Sequence, residues 1–323
     1  MSNIINKTIF IISLIFIIIN PTLGENGRVA ISRFDKDLLN YLESPTKENK
    51  ELLTKKHAPL VTALAQTITN NKQEDPIKLL SKYFAHPQLR KIYEDAINRF
   101  DDLSQYEQQL TAIAATVRKE TGIQSPPAFS VHISGFKENV IYINNVISLS
   151  IDQYLGIDYP GYGGFFRGYQ LQQMQPKMVV RDFTKAWIMA DLVKAGQEAA
   201  DLLSKMIEQG KVLYTLTVLL PNCPENDIIG YTDQEYQWAA DNSGKIWKSI
   251  IKQNQLYSTD LQAISIYFDE QPTKLPSEGA PANMGAWLGF QIVKQYSVNS
   301  KLPLSSILKA DPRTIFKESK YKP

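Results

Sequence analysis

The stretch from Lys177 to Pro221 constrains the fold most, because it contains two helical patterns joined by a short connection. Apolar residues recur in both patterns at steps of three and four, which places them on one stripe of each helix. These residues are Val179, Phe183, Ala186, Trp187, Ala190 and Val193 in the first pattern, and Ala199, Leu202, Leu203, Met206, Gly210, Leu213, Tyr214 and Thr217 in the second. The joint falls near Ala195-Gly196, where glycine ends a helix readily, and Pro221 stops the second helix. We expect two antiparallel neighbouring helices at the centre of the core, with Gly210 permitting a close approach.

The N-terminus has the pattern of a secretory signal peptide. Lys7 precedes an apolar run from Ile9 to Ile19, and Gly24 supplies a small residue for cleavage. The run is shorter than the roughly 20 apolar residues of a membrane-spanning helix. We expect a signal peptide over residues 1–24, with an uncleaved anchor that associates with the membrane as the alternative. Residues 25–323 are then expected to form a single exported domain.

Charge and cysteine content exclude some classes of function. The net charge is +2 over 323 residues, and the chain has no basic stripe with interleaved aromatic residues, so we expect no nucleic-acid partner. Cys223 is the only cysteine, which rules out an internal disulfide. We interpret Cys223 as a loop or packing residue, with a free reactive thiol as the alternative. No cysteine comes directly after the apolar run, so the sequence as written lacks a lipoprotein acceptor.

The clearest strand pattern lies between regions of short helices. Three apolar residues alternate with three polar ones, which predicts a strand with one buried and one polar face; they are Phe129, Val131 and Ile133 against Ser130, His132 and Ser134. Residues 140–147 read as the return strand after a turn. Together with a segment near Ile31 they predict a small antiparallel sheet that packs on helices. The expected fold class is α+β, mostly α, with a helical core.

Several local signals predict helix boundaries and a bend. Pro59 is expected to bend a helix over residues 48–69. Asp75-Pro76 and Asp311-Pro312 each predict a helix start. Thr232 and Glu235 have the spacing of a capping box, and Asn283 is expected to cap a further helix.

The segment from Tyr154 to Pro176 is rich in aromatic residues and glycine, so it has no regular period. One interpretation is a packed surface loop whose aromatic rings cover the core. The other is a docking surface or cleft wall, because exposed aromatic side chains are common in binding sites. The aromatic residues concerned are Tyr159, Tyr162, Phe165, Phe166 and Tyr169.

The histidines and serines do not have the spacing of a helical zinc site or of a nucleophilic serine elbow. The three histidines, His57, His86 and His132, lie far apart, and none has a partner four residues away as a helical zinc site requires. We expect a structural role for each: His57 on a solvated helix face, His86 at a helix boundary, His132 on the polar face of the hairpin. A metal site built from all three is the alternative. There is also no Gly-x-Ser-x-Gly elbow.

Carboxylates on the central helices are the remaining candidates for catalysis. They are Asp182, Asp191, Glu198, Asp201 and Glu208. A glycosidase would need two of them close together, but nothing in the pattern selects a pair. We expect these side chains to be solvated, and we assign no catalytic, cofactor-binding or metal-binding residue.

A series of short strings, in order, resembles the gliding motility lipoprotein GldB family of Bacteroidetes. The strings are Arg33-Phe34-Asp35, Leu155-Gly156 with Asp158-Tyr159-Pro160, Gly210-Lys211 with Tyr214, Leu220-Pro221, Asp227-Ile228-Ile229 with Tyr231-Thr232, Trp238 with Trp247, Leu256-Tyr257-Ser258-Thr259, Trp287-Leu288-Gly289 with Ile292-Val293 and Tyr296, and Ser319-Lys320-Tyr321-Lys322-Pro323. They cover nearly the whole chain after the signal peptide.

The resemblance implies a protein of the periplasm or the periplasmic face of the cell envelope. It implies a role in gliding motility and type IX secretion, with protein partners and without a cofactor. It also implies a distant relation to gluzincin-like (peptidase-MA-like) metalloproteases, whose metal motif is lost here. Residues 181–185 contain no histidine, and Gln209 precedes Gly210 on the second helix. The chain would then be a pseudoenzyme.

Two other functions stay open from the sequence. An exported hydrolase would use carboxylates in a cleft near the aromatic segment. A module that binds glycan or peptide would use the aromatic side chains themselves.

Overall fold

A computed structural model describes residues 10–11, 27–166, 168–193, 201–269 and 275–323. The described chain divides into two compact units, Met1–Ala115 with Ile123–Trp187, and Thr116–Gly122 with Ile188–Pro323. A single domain over residues 25–323 stays a prediction. The expected signal peptide lies outside the described residues apart from Phe10 and Ile11. The expected joint at Ala195-Gly196 lies outside them as well.

The first unit contains seven α-helices within its described residues. They are α1 (Phe34–Glu43), α2 (Lys47–Thr69), α3 (Pro76–Phe84), α4 (Pro87–Arg99), α5 (Ser104–Thr121), α6 (Gly168–Leu171) and α7 (Val179–Trp187); the last residues of α5 count with the second unit. The expected bend in α2 is confirmed, since His57 has non-helical angles (φ −132°, ψ 17°) two residues before Pro59. The Asp75 start is also confirmed, because its carboxylate accepts from the Ile77 N–H at 2.8 Å.

A small mixed sheet lies among these helices. Its strands are β2 (Ile31–Ser32), β3 (Ala128–His132), β4 (Val140–Ile143) and β5 (Val146–Ser150), in the order β4-β5-β3-β2, and a two-residue strand β1 (Phe10–Ile11) adjoins β4. β3 lies between β2 and β5 and is parallel to both, whereas β4 and β5 are antiparallel. The expected class, α+β and mostly α, is confirmed.

The predicted antiparallel pairing of the strand near residues 129–134 with residues 140–147 is wrong. The run over residues 140–147 is two strands, because Asn144 and Asn145 take positive φ angles (49° and 61°) and form a two-residue turn. The hairpin is therefore β4–β5. β3 pairs with β5 in parallel, with Ser130 opposite Ser148.

The second unit is helical throughout its described residues. A π-helical turn, Ile188–Leu192, precedes the helices α8 (Leu202–Leu219), α9 (Glu225–Ile229), α10 (Asp233–Lys252), α11 (Leu261–Phe268), α12 (Met284–Ser300), α13 (Leu304–Lys309) and α14 (Pro312–Ser319). Its core is built on α8 packed against α12. Within the described ranges of both units, no helix combines the length and the apolar character needed to span a bilayer.

Glycines bring α8 and α12 together. A Cβ added at Gly210 would overlap the backbone carbonyl of Gly289, and one added at Gly289 would overlap the carbonyl of Met206. The expected close approach at Gly210 is confirmed. The expected pairing of α8 with the helix before it needs correction. The first part of that helix, α7, belongs to the first unit, whereas its last part, Ile188–Leu192, contacts α8, and the main partner of α8 within its unit is α12. A pattern of apolar residues shows which face is buried but not which helix covers it.

The capping predictions have mixed outcomes. Thr232 and Glu235 form the expected capping box at the start of α10. Asp311 accepts from the Thr314 N–H at 2.9 Å at the start of α14, as predicted. Asn283 precedes α12, but it is left-handed (φ 61°), and its side chain makes no capping bond. Asn283 therefore serves as a turn residue rather than a side-chain cap.

Candidate functional site

The three histidines are held by different elements of the first unit. His57 on α2 is 3% exposed, packs against the Phe34 ring and lies 2.8 Å from the Asp37 carboxylate. The expected solvated position of His57 is therefore wrong, because the kink of α2 turns the imidazole toward α1. His86 is exposed at the start of α4, which is the predicted helix boundary. His132 is fully buried on β3.

The Asp37 carboxylate links the His57 imidazole and the Lys56 ammonium in one hydrogen-bonded network. Burial lowers its pKa, and the bond to Asp37 partly offsets this effect. Burial acts to raise the pKa of Asp37, but hydrogen bonds from Lys56 and His57 outweigh it and lower that pKa. The carboxylate thus stays ionised between two basic groups, in a structural arrangement.

Polar side chains line one buried face of the sheet, which we call the polar layer. It consists of Ser130, His132 and Ser134 from β3 and the turn after it, and Ser148, Ser150 and Asp152 from β5 and the turn after it. The sequence predicts this face as the polar one, but every one of these residues is 0% exposed. Helices α1, α2 and α7 contact the sheet. α7 lies on the opposite, apolar face, where Phe129 packs against Phe183 and Trp187.

Asp152 is the hydrogen-bonding centre of the polar layer. Its carboxylate accepts from the Phe136 N–H at 2.8 Å and the Ser134 N–H at 3.3 Å, and it also accepts from the Ser150 hydroxyl. Burial raises its pKa, and these hydrogen bonds partly offset the shift. Asp152 therefore fixes the turn after β3.

His132 occupies the other half of the polar layer. Its Nδ1 lies 2.9 Å from the Ser148 hydroxyl oxygen. Burial lowers the pKa of His132 to about 3, so the imidazole is neutral at pH 7. A neutral, sealed imidazole beside a serine resembles part of a catalytic pair, but no substrate reaches a residue that is 0% exposed.

The carboxylate Asp182 belongs to a structural network in the first unit. It accepts from the Tyr154 hydroxyl at 2.8 Å and pairs with the Arg181 guanidinium at 2.8 Å. Its side chain is only 12% exposed, so the expected solvation of this residue is wrong. The Arg181 guanidinium neutralises the Asp182 carboxylate, which lowers the free-energy cost of burying that charge.

Asp201 likewise serves the structure of the second unit. It caps α8 by accepting from the Ser204 N–H at 2.9 Å, and it pairs with Arg313. Its side chain is 10% exposed, which again corrects the expected solvation. Asp191 and Glu208 are half-buried, and Glu198 lies outside the described residues. Of the four candidate carboxylates that the structure describes, Asp182 and Asp201 are each held in a local structural network.

The aromatic segment forms a small core of its own. Tyr162 is buried among Ile92, Phe136 and Met174, with Tyr159 and Phe166 partly buried around it. The Tyr162 hydroxyl donates to the Asp152 carbonyl at 2.7 Å. These contacts support the interpretation as a packed loop.

The exposed part of the aromatic segment is small. Phe165 is 56% exposed, and the side chain of Tyr169 lies outside the described residues. Even the half-exposed Tyr159 is engaged, because its hydroxyl donates to the Asp95 carboxylate at 2.9 Å. One exposed ring is a weak basis for a docking surface.

Two sequence patterns could have indicated that the polar layer is buried, although alternation alone assigns its face to solvent. Ser-x-His-x-Ser in one strand and Ser-x-Ser-x-Asp in another place polar groups on one face of each. Side by side, the two strands pair His132 with Ser148 at 2.9 Å and Ser150 with Ser134 at 2.8 Å, whereas the Nε2 of His132 is buried without a hydrogen-bond partner. Among the described residues, no group of three His, Cys, Asp or Glu side chains could hold a metal ion.

Comparison with known proteins places the whole chain after its N-terminus in one family. The family described as gliding motility protein GldB matches residues 21–323. No significant match was found to a curated protein or to a solved structure, and the relation to gluzincin-like metalloproteases stays a prediction. Because the match covers far more than half of the sequence, the chain belongs to the gliding motility protein GldB family.

Proposed function

We propose that this chain is a non-catalytic protein of the cell envelope that serves gliding motility and type IX secretion by binding other proteins. The observation that carries the proposal is the family match over residues 21–323. The family is one of gliding motility proteins. The absence of catalysis, the link to secretion and the partners are our own inference.

Residues that carry the family resemblance have structural partners in the first unit. Arg33 forms a two-pronged ion pair with Asp35, with hydrogen bonds of 2.9 and 2.6 Å. Phe34 and Asp35 are both 0% exposed. Such residues stabilise a fold whether or not it has an active site.

The same holds in the second unit. Gly210 permits the contact of α8 with α12, and Lys211 next to it is 7% exposed. The Lys211 ammonium donates to the carbonyls of Leu308 and Ala310 at 2.9 and 2.6 Å, which satisfies the end of α13. Trp287 donates to the Ser243 hydroxyl at 2.7 Å.

The engaged histidines and carboxylates support a role without catalysis. His57 pairs with Asp37, Asp182 with Arg181, and Asp201 caps a helix. The N-terminal pattern supports export to the periplasm or its membrane face, although the sequence has no acceptor cysteine after the apolar run. No observation favours an exported hydrolase or a glycan-binding module over this proposal.

Crosslinking in living cells tests the proposal. A gliding bacterium producing the tagged chain is treated with a membrane-permeant crosslinker, and the chain is purified under denaturing conditions. We expect discrete crosslinked species that contain proteins of the gliding or secretion machinery. A chain with Gly210→Val, in which α8 and α12 cannot pack, is the control and should lose these species.

A measurement on the isolated protein addresses the enzyme alternative. The chain purified from the envelope is analysed for zinc by plasma mass spectrometry and for peptidase activity. One zinc per chain, together with activity that Asp182→Ala abolishes, contradicts the proposal.

A further inference from the structure

Three segments of the second unit meet beside the last turns of α10. The Trp247 ring lies 5.6 Å from the Phe316 ring of α14 and 5.4 Å from the Tyr321 ring that follows α14. The Asn299 side-chain amide near the end of α12 donates to the Ser319 carbonyl at 2.8 Å. These contacts bring together one region of the surface, which we call the lysine face. It consists of residues 244–252, 297–303 and 316–323.

The lysine face carries many basic side chains and little negative charge. Its lysines are all exposed, and Glu318 is the one acidic side chain in its three segments. On α10 the lysines recur at steps of three and four, so they share one stripe of the helix, on the side opposite its buried residues. The lysines are Lys245, Lys248 and Lys252 on α10, Lys301 after α12, and Lys317, Lys320 and Lys322 in and after α14.

These lysines are not neutralised by neighbouring carboxylates. Elsewhere in the second unit, Lys294 pairs with Glu225 and Arg313 with Asp201. Among the residues that the structure describes, the lysines of the lysine face form no ion pair. Ammonium groups gathered without counter-charges repel one another, and an anionic surface placed against them relieves this repulsion.

Exposed apolar side chains stand among these lysines. Ile251 on α10 is 46% exposed, and Val298 and Leu302 at the end of α12 are 63% and 42% exposed. Lysines that reach anionic headgroups, together with apolar side chains that enter the boundary of the acyl chains, are typical of protein surfaces that lie on a membrane.

Two features favour a membrane over a soluble polyanion as the occupant. Every basic residue of the lysine face is a lysine, and a lysine ammonium acts as a point charge that needs no fixed bidentate partner, which suits mobile lipid headgroups. The exposed apolar side chains would also leave water on a bilayer, whereas a soluble polyanion would leave them hydrated.

We propose that the lysine face binds the surface of a bilayer that contains anionic phospholipids. This contact goes beyond the proposed function and is separate from the apolar run at the N-terminus. The sequence alone shows no basic stripe with interleaved aromatic residues, because the lysine face is assembled from segments that are distant in the chain.

Vesicle co-sedimentation tests the proposal. The chain purified from the envelope, in its natural processed form, is mixed with vesicles of phosphatidylcholine alone or of phosphatidylcholine and phosphatidylglycerol at roughly 2:1. We expect binding to be at least about ten-fold tighter with phosphatidylglycerol, and to weaken as salt is added, because salt screens the attraction between exposed charges. Binding through the N-terminal apolar run would be common to both vesicles and to every variant.

Charge reversal locates the binding surface. Lys245→Glu, Lys248→Glu and Lys252→Glu together should weaken binding to the phosphatidylglycerol vesicles by about 100-fold. The matched control is Lys55→Glu, Lys72→Glu and Lys82→Glu, three exposed lysines of the first unit, which change the net charge by the same amount. The control should alter binding by less than about three-fold, because salt screens charges that lie away from the bilayer.

A second variant separates a membrane from a soluble polyanion. Ile251→Ser and Val298→Ser together should weaken binding to the phosphatidylglycerol vesicles by about ten-fold, because two apolar side chains no longer leave water. The same pair of substitutions should leave binding to heparin unchanged.

Equal binding of the parent chain to the two kinds of vesicle would overturn the proposal, and so would equal losses in the two triple variants. An apolar variant that binds vesicles as tightly as the parent chain would overturn the membrane as the occupant. The comparison of vesicles uses the parent chain alone, so it stands even if circular dichroism shows that a variant fails to fold. The proposed function is judged by crosslinking, which does not depend on the lysine face.

Discussion

A single carboxylate holds the turn between β3 and β4. Gly135 and Phe136 both have positive φ angles (67° and 68°), a conformation that is unfavourable for phenylalanine. The Asp152 carboxylate compensates by accepting from the N–H of Phe136 and of Ser134. The stability of the first unit therefore depends on a buried acidic group.

Replacing Asp152 by alanine should lower the free energy of unfolding by about 2–4 kcal/mol, because two buried N–H groups and a hydroxyl lose their acceptor. Urea unfolding followed by circular dichroism measures the change. The exposed Asp158 is the control, and Asp158→Ala should change the free energy by less than about 0.5 kcal/mol. Equal effects of the two substitutions would contradict the role of Asp152.

The buried His132 predicts a specific dependence on pH. Its pKa in the fold is about 3, below the ordinary value of 6.5. As the pH falls below about 6.5, the unfolded chain binds a proton that the folded chain does not. The contribution of His132 to stability is thus complete above pH 6.5 and is lost as the pH falls toward 3, by about 1.4 kcal/mol per pH unit.

His132→Gln removes this titration while keeping a polar side chain beside Ser148. The difference in unfolding free energy between the parent chain and the variant should be constant above pH 7 and should shift in favour of the variant at lower pH. Urea titrations from pH 4 to pH 8 provide the comparison. Parallel curves over this range would refute the burial of a neutral imidazole.

Among the secondary-structure elements, α8 and α12 show most clearly what the sequence can and cannot predict. The pattern of apolar residues correctly predicts α8 and the need for a small residue at Gly210. It does not identify α12 as the partner, because pairing depends on shape complementarity between segments distant in sequence. Gly289, in the family string Trp287-Leu288-Gly289, is the complementary small residue.

The sheet shows the same limit for strands. Alternation locates β3, and the polar turn after it is expected. The split of residues 140–147 follows from the Asn144-Asn145 turn, a local signal that periodicity does not include. The burial of the polar layer has no local signal of this kind, because it depends on helices that cover the sheet.

Gly210→Ala tests the contact of α8 with α12. The added methyl group would overlap a backbone carbonyl that belongs to a packed helix, so we expect a loss of at least about 1–3 kcal/mol. Gly244→Ala in α10 is the control: a Cβ there lies 3.2 Å from the carbonyl oxygen of Pro323, an exposed residue that can shift. The control should match or exceed the parent stability, since alanine favours a helix. Thermal unfolding that is unchanged by Gly210→Ala would contradict this packing.

Two helix starts that look alike in sequence should respond differently to mutation. Thr232→Ala removes the capping box of α10 and should lower stability by about 1 kcal/mol. Asn283→Gly should be neutral or slightly stabilising, because Asn283 is left-handed and its side chain caps nothing. Both are measured by urea unfolding. A loss at Asn283 as large as at Thr232 would show that its side chain does cap α12.

At the scale of the whole molecule, the family match and the structural roles of its residues give a consistent account. The strings that identify the family include a partly buried ion pair between Arg33 and Asp35 and the helix contact at Gly210. Sequence reasoning could recognise the family from these strings. It could not predict what each residue contacts, because those contacts join segments far apart in the chain.

The candidate carboxylates distinguish a scaffold from an enzyme in living cells. Asp182→Asn and Glu208→Gln keep the size of each side chain and remove its charge, which would abolish general acid–base or metal chemistry. A scaffold tolerates both changes as long as it folds. Gly210→Val disrupts the packing of α8 against α12, so a scaffold with this substitution should lose its function.

The most direct measurement is colony spreading of a gliding bacterium that lacks its own family member and carries the chain with Asp182→Asn and Glu208→Gln together. We expect spreading equal to that given by the parent chain, whereas the chain with Gly210→Val should fail to restore it. Loss of spreading in the double variant, with the protein present at normal level and folded, would contradict the claim that this chain acts without catalysis.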